Sequence, residues 1–134
     1  MSAWHVSLGK KGEDLAASYL QTSGFTIESR NWHCPSGELD IVCSQGDLMV
    51  FVEVKTRTQG PMSDPRAAVN RGKRARLSRA ASEYLSSHEA WCRDCRFDVI
   101  SIVVPKKGGK PQLEHIENAF QLMTAPGSCA WQPW

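Results

Sequence analysis

The sequence predicts an α/β domain in which two helices pack against a mixed β-sheet. Three observations support this prediction. Two stretches carry apolar residues at helical spacing, two short strands are joined by a tight turn, and a strongly β-prone run follows the second helix. The predicted order is one helix, three strands, one helix and two strands. The second helix crosses over to a further strand, which gives a mixed sheet with helices packed against it.

Length and composition fit one folded domain. The chain has 134 residues, of which 41% are hydrophobic and 22% charged, and these values are ordinary for a globular protein. The prediction is a single domain over residues 1–123 and a loosely packed tail over 124–134, which contains Trp131 and Trp134. The net charge of +2 is too small to indicate a nucleic-acid partner, so only the local distribution of charge can do so.

Three features lead us to expect a cytoplasmic protein without a membrane partner. The longest uninterrupted apolar run, Leu48–Val52, is far too short to span a bilayer. No charged-then-apolar signal peptide opens the chain. Five cysteines without framework spacing fit free thiols in a reducing compartment. The pair Cys92 and Cys95, together with Cys34 and His33, has the ligand types of a zinc site, but the lack of a second Cys-x-x-Cys pair favours reduced thiols.

Residues 5–23 form the first predicted helix, and Gly24 ends it. On a helical wheel Glu13 falls about 20° beyond Leu20, at the margin of the apolar stripe, so it borders the core rather than facing open water. A surface contact is the commoner fate of such an acid and stays open as the alternative. The stripe consists of Leu8, Gly12, Leu15, Ala16, Tyr19 and Leu20.

Three strands follow in the prediction. The first is Phe25–Trp32, and the other two form a hairpin over 37–42 and 50–55. Both hairpin strands are rich in branched and aromatic residues that alternate with period two. The loop between them is Gly46-Asp47, with glycine first as a type II′ turn prefers, and a two-residue loop fixes the register of the hairpin.

This register places two carboxylates together. Asp40 lies opposite Glu53, with the two Cβ atoms roughly 4.5–5.5 Å apart. Carboxylates at this distance repel each other unless a cation or a shared proton lies between them, and Lys55 on the same face supplies only one positive charge. Hard oxygen ligands suit Mg²⁺ or Mn²⁺ better than zinc. The alternative is a hairpin with a solvated polar face. Against it stand the valines and the phenylalanine around Glu53, which indicate a buried strand.

The second predicted helix follows a polar loop. The loop covers Thr56–Ser63, and Asp64-Pro65 then signals a short helical turn through Val69. Asn70 caps a longer helix that ends near Ser87. Its apolar stripe consists of Leu77, Ala80, Ala81, Tyr84 and Leu85.

A basic cluster overlaps the start of this helix. Six basic residues and no acidic residue lie between Arg66 and Arg79, a pattern that fits contacts with the phosphates of a nucleic acid. A solvated basic helix face is the alternative. Lys73 differs from the others because the helical wheel turns it toward the core, where it would overhang the end of the sheet. The cluster consists of Arg66, Arg71, Lys73, Arg74, Arg76 and Arg79.

Two strands and a helical turn complete the prediction. A loop over His88–Cys95 leads to a strongly β-prone strand, Arg96–Val104. A basic loop at 106–110 then leads to the last strand, Gln112–Ile116. Asn118–Met123 is predicted to be a short helical turn.

Two of these segments resemble the signature of a known family. Gly37-Glu38-Leu39-Asp40, together with Val50–Arg57, is similar to the signature of the YraN family. That family is a bacterial group of uncharacterised proteins in the PD-(D/E)xK nuclease superfamily, with kinship to archaeal Holliday junction resolvases. The resemblance extends from Gly9 to about Ile102, and its motifs are specific in combination and weak singly. Gly9–Ala16 resembles the opening motif of the family, whose Glu matches a helix-borne acid of resolvase-like sites. Glu13 therefore becomes a candidate third carboxylate.

The resemblance implies a restriction-endonuclease-like fold and a metal-dependent nuclease that acts on DNA, branched or flapped DNA included. Asp40 and Glu53 would hold Mg²⁺ or Mn²⁺ with help from the Val54 carbonyl. Glu13 would complete the metal shell or hold a second ion, and Lys55 would orient or deprotonate the attacking water. The residues expected to assist are Glu38, Lys73 and Arg57.

Two further expectations concern assembly and activity. Kinship with resolvases favours a homodimer, because two symmetric cuts need two sites. The alternative to a nuclease is a non-catalytic protein that binds nucleic acid or assists assembly while it keeps a nuclease-like fold.

Overall fold

The described residues form seven elements in the order that the sequence predicts, so the predicted α/β class is confirmed. The structure is a computed structural model and describes residues 3–60, 69–88 and 94–121. The predicted turn at Asp64-Pro65 and the predicted tail over 124–134 lie outside these residues. The elements are α1 (Ala3–Thr22), β1 (Thr26–Cys34), β2 (Gly37–Gln45), β3 (Leu48–Thr58), α2 (Arg71–Ser87), β4 (Asp94–Val104) and β5 (Gln112–Phe120).

The five strands of the described residues form one sheet in the order β1-β2-β3-β4-β5. β1, β2 and β3 are an antiparallel meander, whereas β3 and β4 are parallel because α2 carries the chain back between them. β5 returns antiparallel beside β4. The sheet is therefore mixed, and β3 lies at its centre with a hydrogen-bonded neighbour along each edge.

The two helices cover opposite faces of the sheet. Successive strand residues point to opposite faces, so Val50 and Val52 face α1 whereas Phe51 faces α2. A central strand buried on both faces has a nearly continuous apolar sequence for this reason. Of the helices in the described residues, neither is long and apolar enough to cross a membrane. The cluster beneath α1 includes Ala16, Leu20, Ile41, Val52 and Ile100, and the cluster beneath α2 includes Val42, Phe51, Leu77, Tyr84 and Phe97.

The hairpin between β2 and β3 has the predicted turn. The two strands pair as far as Gln45 and Leu48, which leaves Gly46 and Asp47 as a two-residue loop. Gly46 has a φ of 61°, and Asp47 is not among the positive-φ residues of the described chain. A positive φ at the first central residue alone matches a type II′ turn and excludes type I′, so glycine is needed at this position.

Several predicted strand boundaries are wrong, among them the ends of β3 and β5. The sequence predicts a polar loop from Thr56, but β3 runs on to Thr58 because its last residues pair with β4. The sequence predicts a helical turn from Asn118, but β5 runs on to Phe120. Asn118 has a φ of 52°, and its N–H donates to Asp98 Oδ1 at 2.9 Å. A bulge held by a buried carboxylate therefore carries β5 past the point where its pattern weakens.

The buried stripe of α1 differs from the prediction at Leu15 and at Ala17, which the predicted stripe does not include. Leu15 is 42% exposed, whereas Ala16, Ala17 and Leu20 are buried. The three buried residues lie in the cluster beneath this helix, and two of them are alanines. Because small side chains allow a close approach, α1 can lie low on the sheet and leave the larger leucine at its flank.

α1 meets β3 at Gly12, which is buried. A Cβ atom built at Gly12 would overlap Thr56 Oγ1 and would lie 2.9 Å from Thr56 Cβ. Any side chain at this position would clash with a branched residue of the central strand, so glycine lets the helix approach the strand. The next residue of the helix is Glu13, so this contact also sets the place of a predicted site residue.

We predict that Gly12→Ala destabilises the protein by about 1–3 kcal/mol, the usual effect of overpacking, although alanine is the better helix former. Gly9→Ala on the same helix is the matched control, since a Cβ atom there meets no other atom within 4 Å. It should stabilise the protein by up to about 1 kcal/mol. Urea denaturation measures both free energies of unfolding. Equal effects of the two substitutions would contradict the close packing of α1 on β3.

Candidate active site

The candidate site lies where β2 and β3 stop pairing. Their last backbone pair is Ile41 with Val52, and the predicted register would place Asp40 and Glu53 at the next step. At that step the Val54 N–H donates to Asp40 Oδ2 at 2.9 Å. A side-chain carboxylate thus accepts a backbone donor of the central strand, and the two acids of the hairpin come together as the register predicts.

Leu39 lies on the other face of the sheet from the one that the sequence predicts, so this prediction is wrong. Strict alternation predicts that Leu39 shares a face with Ile41 and Cys43. Instead Leu39 packs in the cluster beneath α2, while Ile41 packs in the cluster beneath α1. The alternation of β2 is broken at Asp40, which lies between these two residues.

Asp40 has a raised affinity for a proton. Burial is the main reason that its pKa rises to about 7, and the negative charge of Glu53 is the next. The hydrogen bond from the Val54 N–H acts in the opposite direction. The charge of Glu13 raises the pKa further, as does a hydrogen bond between the carboxyl groups of Asp40 and Glu53. Glu13 is therefore close enough to act on Asp40 electrostatically, which is the neighbourhood predicted for a third acid.

Glu53 is buried and forms ion pairs with two lysines. Lys73 Nζ lies 2.6 Å from Glu53 Oε1, and Lys55 Nζ lies 3.6 Å from the same oxygen. Lys73 stands in the first turn of α2, where its backbone N–H donates to the side chain of the N-cap residue Asn70 at 2.9 Å. The predicted cap therefore helps to place this lysine. Sequence reasoning put Lys73 in a supporting role, but it is the closer of the two lysines to Glu53.

The pKa values of the two lysines shift in opposite directions. Burial lowers the pKa of Lys55, and the neighbouring Lys73 adds to this effect. Burial acts against the charge of Lys73 as well, but hydrogen bonds with Glu53 and Lys55 outweigh it and raise its pKa. Lys73 therefore keeps its proton and its positive charge, and Lys55 is the amine that gives up a proton more readily.

A cavity of about 210 Å³ lies against Asp40, Glu53 and Lys73. It has room for several water molecules, each of which takes roughly 30 Å³ in the liquid. Glu38 lies at its exposed side, and its Oε2 lies 3.2 Å from His33 Nδ1. The residues that line the cavity are Gly37, Glu38, Asp40, Glu53, Lys73, Arg76 and Leu77.

The donor set suits a partly hydrated Mg²⁺ or Mn²⁺ ion. Among the described residues, no three His, Cys, Asp or Glu side chains are grouped closely enough to hold a metal ion by themselves. Asp40 and Glu53 supply two hard carboxylates beside a cavity that can hold water. Mg²⁺ is commonly bound by one or two carboxylates and keeps several waters, so two acids fit its needs. Lys73 occupies one of the Glu53 oxygens and would have to leave it.

The described residues do not add a zinc site. Cys92 of the Cys92-x-x-Cys95 pair lies outside the described residues, so the zinc alternative stays a prediction. Cys34, Cys43 and Cys95 form no disulfide bond among the described residues. Burial raises the pKa of the Cys43 thiol to about 12, which makes it unreactive as a nucleophile.

The predicted basic cluster divides into two groups. Arg74 has a structural contact, because its Nε donates to the Val69 carbonyl at 2.9 Å and its guanidinium lies 5.6 Å from the centre of the Phe120 ring. The residues on the solvent side of the helix are Arg71, Arg76 and Arg79. Arg66 lies outside the described residues. Arg57 stands two residues beyond Lys55 on β3, opposite Val103 of β4.

A second polar cluster is built around Asp98 of β4, and sequence reasoning missed it. Asp98 is fully buried and accepts from Arg96 Nε at 2.8 Å and from the Asn118 N–H at 2.9 Å. His115 Nε2 lies 2.7 Å from the same carboxylate, and His115 Nδ1 lies 3.0 Å from the Tyr19 hydroxyl. An acid in the middle of a strongly apolar strand is the signal that could have revealed this network. It ties α1, β4 and β5 together.

We predict that Asp40 lowers the stability of the metal-free protein as pH rises from about 4 to about 7. The pKa of its carboxyl is 3.8 ordinarily and about 7 in the folded protein, so the folded protein binds this proton more tightly across the interval. The free energy of unfolding from this group therefore falls with rising pH, by on the order of 3 kcal/mol in total. Urea denaturation in the presence of a chelator measures the slope.

Asp40→Asn should flatten this slope and should be more stable than wild type at about pH 7.5. Glu38→Gln is the matched control, because it removes an exposed acid from the same strand and should leave the slope unchanged. A wild-type slope in Asp40→Asn would contradict the raised pKa.

Comparison with known proteins agrees with the motifs. The model of a family described as "Uncharacterised protein family UPF0102" matches residues 12–102. A UPF0102 protein of Nitratidesulfovibrio vulgaris is 45% identical over 128 residues, which cover 94% of each chain. One from Geobacter metallireducens is 47% identical over 122 residues, which cover 91% of this chain and 98% of that protein. One from Dictyoglomus thermophilum is 40% identical over 113 residues, or 84% and 96% of the two chains. The resemblance to the YraN family is thereby confirmed, and the chain belongs to the family UPF0102.

Proposed function

We propose that this protein is a Mg²⁺- or Mn²⁺-dependent nuclease that hydrolyses phosphodiester bonds in DNA. The observation that carries the proposal is the pair of carboxyl groups of Asp40 and Glu53, held together beside two lysines and a cavity. Acids forced together in this way favour a divalent cation. The spacing of Asp40, Glu53 and Lys55 resembles the PD-(D/E)xK nuclease signature, and the order of elements agrees with the restriction-endonuclease-like fold.

In this proposal, metal binding and proton transfer are assigned to different residues of the site. A bound divalent cation would supply Lewis-acid stabilisation of the phosphoryl oxygens and would acidify a bound water. Asp40 and Glu53 would hold this cation, and the Val54 carbonyl and Glu13 would be further oxygen ligands. Lys55 is suited to take a proton from the attacking water, because burial lowers its pKa.

The substrate contact is proposed for the solvent side of α2. Arg76 lines the cavity and carries a positive charge at its mouth. Arg71 and Arg79 extend the positive surface along the exposed side of the helix. Phosphates that bind there would run past the carboxyl pair, and backbone contacts of this kind do not depend on sequence. Branched DNA as the preferred form and a homodimer as the active assembly come from the resemblance to resolvases.

One observation favours the alternative of a non-catalytic nucleic-acid-binding protein. The 2.6 Å ion pair between Lys73 and Glu53 provides a cation from the protein itself at the place where a metal ion would bind. A protein that only binds nucleic acid could keep this pair permanently. Cleavage assays separate the two functions.

We predict that the wild-type protein cleaves at least one member of a panel of labelled linear, nicked, flapped and four-way DNA in the presence of Mg²⁺ or Mn²⁺.

Lys55→Met removes the ammonium group but keeps the apolar stem, so DNA affinity should stay within a few-fold of wild type. The cleavage rate should fall by on the order of 10²-fold or more. Filter binding and single-turnover cleavage on one substrate measure the two quantities.

Asp40→Ala serves as the inactive control in this experiment, because it removes one of the two proposed metal ligands. Lys55→Met that cuts as fast as wild type would remove Lys55 from the mechanism. A wild-type protein that binds the panel and cuts none of it would support the binding protein instead.

We predict that Arg76→Gln combined with Arg79→Gln weakens DNA binding on all sequences alike. The dependence of log K on log salt concentration should become shallower by roughly 0.9 for each phosphate that the variant no longer binds. Lys106→Gln combined with Lys107→Gln is the matched control, because it removes two exposed charges from the loop between β4 and β5. Fluorescence anisotropy at a series of salt concentrations measures the slope. If both double variants keep the wild-type slope, the solvent side of α2 does not contact DNA.

A further inference from the structure

The carboxyl pair already has internal counter-ions. Glu53 Oε1 contacts both Lys73 Nζ and Lys55 Nζ, so two ammonium groups face the two carboxyl groups of Asp40 and Glu53. The charges of these four side chains cancel when all are ionised. A divalent cation that entered this set alone would bring an excess of positive charge, and it would compete with Lys73 for the oxygen that Lys73 holds at 2.6 Å.

Lys73 is placed so that it can leave Glu53. Its side chain is 27% exposed, and it lines the cavity together with Arg76. The lysine stem is long and flexible, so its ammonium group can move by several ångströms while the backbone stays fixed by the Asn70 cap. A phosphate group in the cavity would offer this ammonium group a second anion. Lys55 extends from the central strand and is farther from the carboxylate, at 3.6 Å.

We propose that Lys73 is an exchangeable counter-ion that couples the binding of nucleic acid to the binding of the metal ion. A phosphate of the bound strand draws the ammonium group away from Glu53, and the divalent cation takes its place at the carboxyl pair. This inference rests on the proposed function, because it assumes that both ligands bind at this site. It assigns to Lys73 a role that concerns binding and not the chemical step.

The charge count explains why the coupling is favourable. With one phosphate and the divalent cation both bound, Lys73 balances the phosphate and the cation balances the two carboxylates, so only the charge of Lys55 remains. With either ligand alone, one of these groups loses its partner. Coupling between two binding sites is reciprocal, so the cation must raise the affinity for DNA by the same factor by which DNA raises the affinity for the cation.

The test measures Ca²⁺ binding by titration calorimetry, with and without a saturating short DNA duplex, under conditions in which a gel shows the duplex intact. Ca²⁺ is an oxygen-seeking cation like Mg²⁺ and serves as the probe. In the wild type, the duplex should lower the Kd of Ca²⁺ about tenfold or more, within the usual range of coupling between sites. Ca²⁺ should in turn lower the Kd of the duplex by the same factor.

Lys73→Gln keeps a hydrogen-bond donor beside Glu53 but removes the charge. Without DNA it should bind Ca²⁺ about tenfold more tightly than wild type, and the further gain on adding the duplex should largely disappear. Lys73→Arg keeps the charge and should keep most of the coupling. Lys106→Gln, which removes an exposed lysine in the loop between β4 and β5, is the control for a general loss of charge and should behave as wild type.

The outcomes separate the inference from the proposed function. Full coupling in Lys73→Gln overturns the inference and leaves the proposed function standing. The coupling would then come from the high concentration of cations around any DNA duplex and not from Lys73. A wild type that binds Ca²⁺ and DNA independently also overturns it, whatever the variants do. A wild type that binds none of Ca²⁺, Mg²⁺ and Mn²⁺ overturns both, because the proposed site then holds no divalent cation.

Discussion

The contact between the carboxyl groups of Asp40 and Glu53 is the constraint to which the rest of the site responds. The hairpin register brings the two acids together in a place that is largely shielded from water. The strands part there, the Val54 N–H bonds to Asp40, and two lysines converge on Glu53. Each of these features reduces the cost of holding like charges side by side. Each also leaves a polar group beside a cavity that can admit water or an ion.

The fold holds this arrangement on rigid elements. Glu53 and Lys55 extend from β3, the central strand, which is fixed by a neighbour on each edge. Lys73 comes from the capped first turn of α2, where the backbone is well satisfied. α1 is held against β3 at Gly12, where no side chain fits between helix and strand. Sites built on strands and helix ends keep their geometry better than sites on loops, which suits the proposed nuclease reaction.

Asp98 is a second buried carboxylate with basic partners, but unlike Glu53 it has no access to solvent. Like Glu53, it is a buried acid on one of the two parallel strands β3 and β4, and it is paired with a basic side chain. Its partners are Arg96 and His115, and it also holds the backbone of a bulge in β5. It is fully enclosed, whereas Glu53 borders a cavity and is held by flexible lysines. Burial with complete partnering makes an acid structural, and burial beside a cavity leaves it able to change partners.

The sequence by itself determined the order of elements, the two-residue turn and the family, because these depend on neighbouring residues and on short periods. The register of the hairpin followed from its turn, and with it the meeting of Asp40 and Glu53. Only the tertiary structure decided that Lys73 lies closer to Glu53 than Lys55, that Arg74 packs at the start of α2, and that Asp98 anchors β5. Those contacts join segments far apart in the chain, or depend on how a helix lies on the sheet. The spacing of residues within one segment does not indicate how far that segment lies from another in the folded protein.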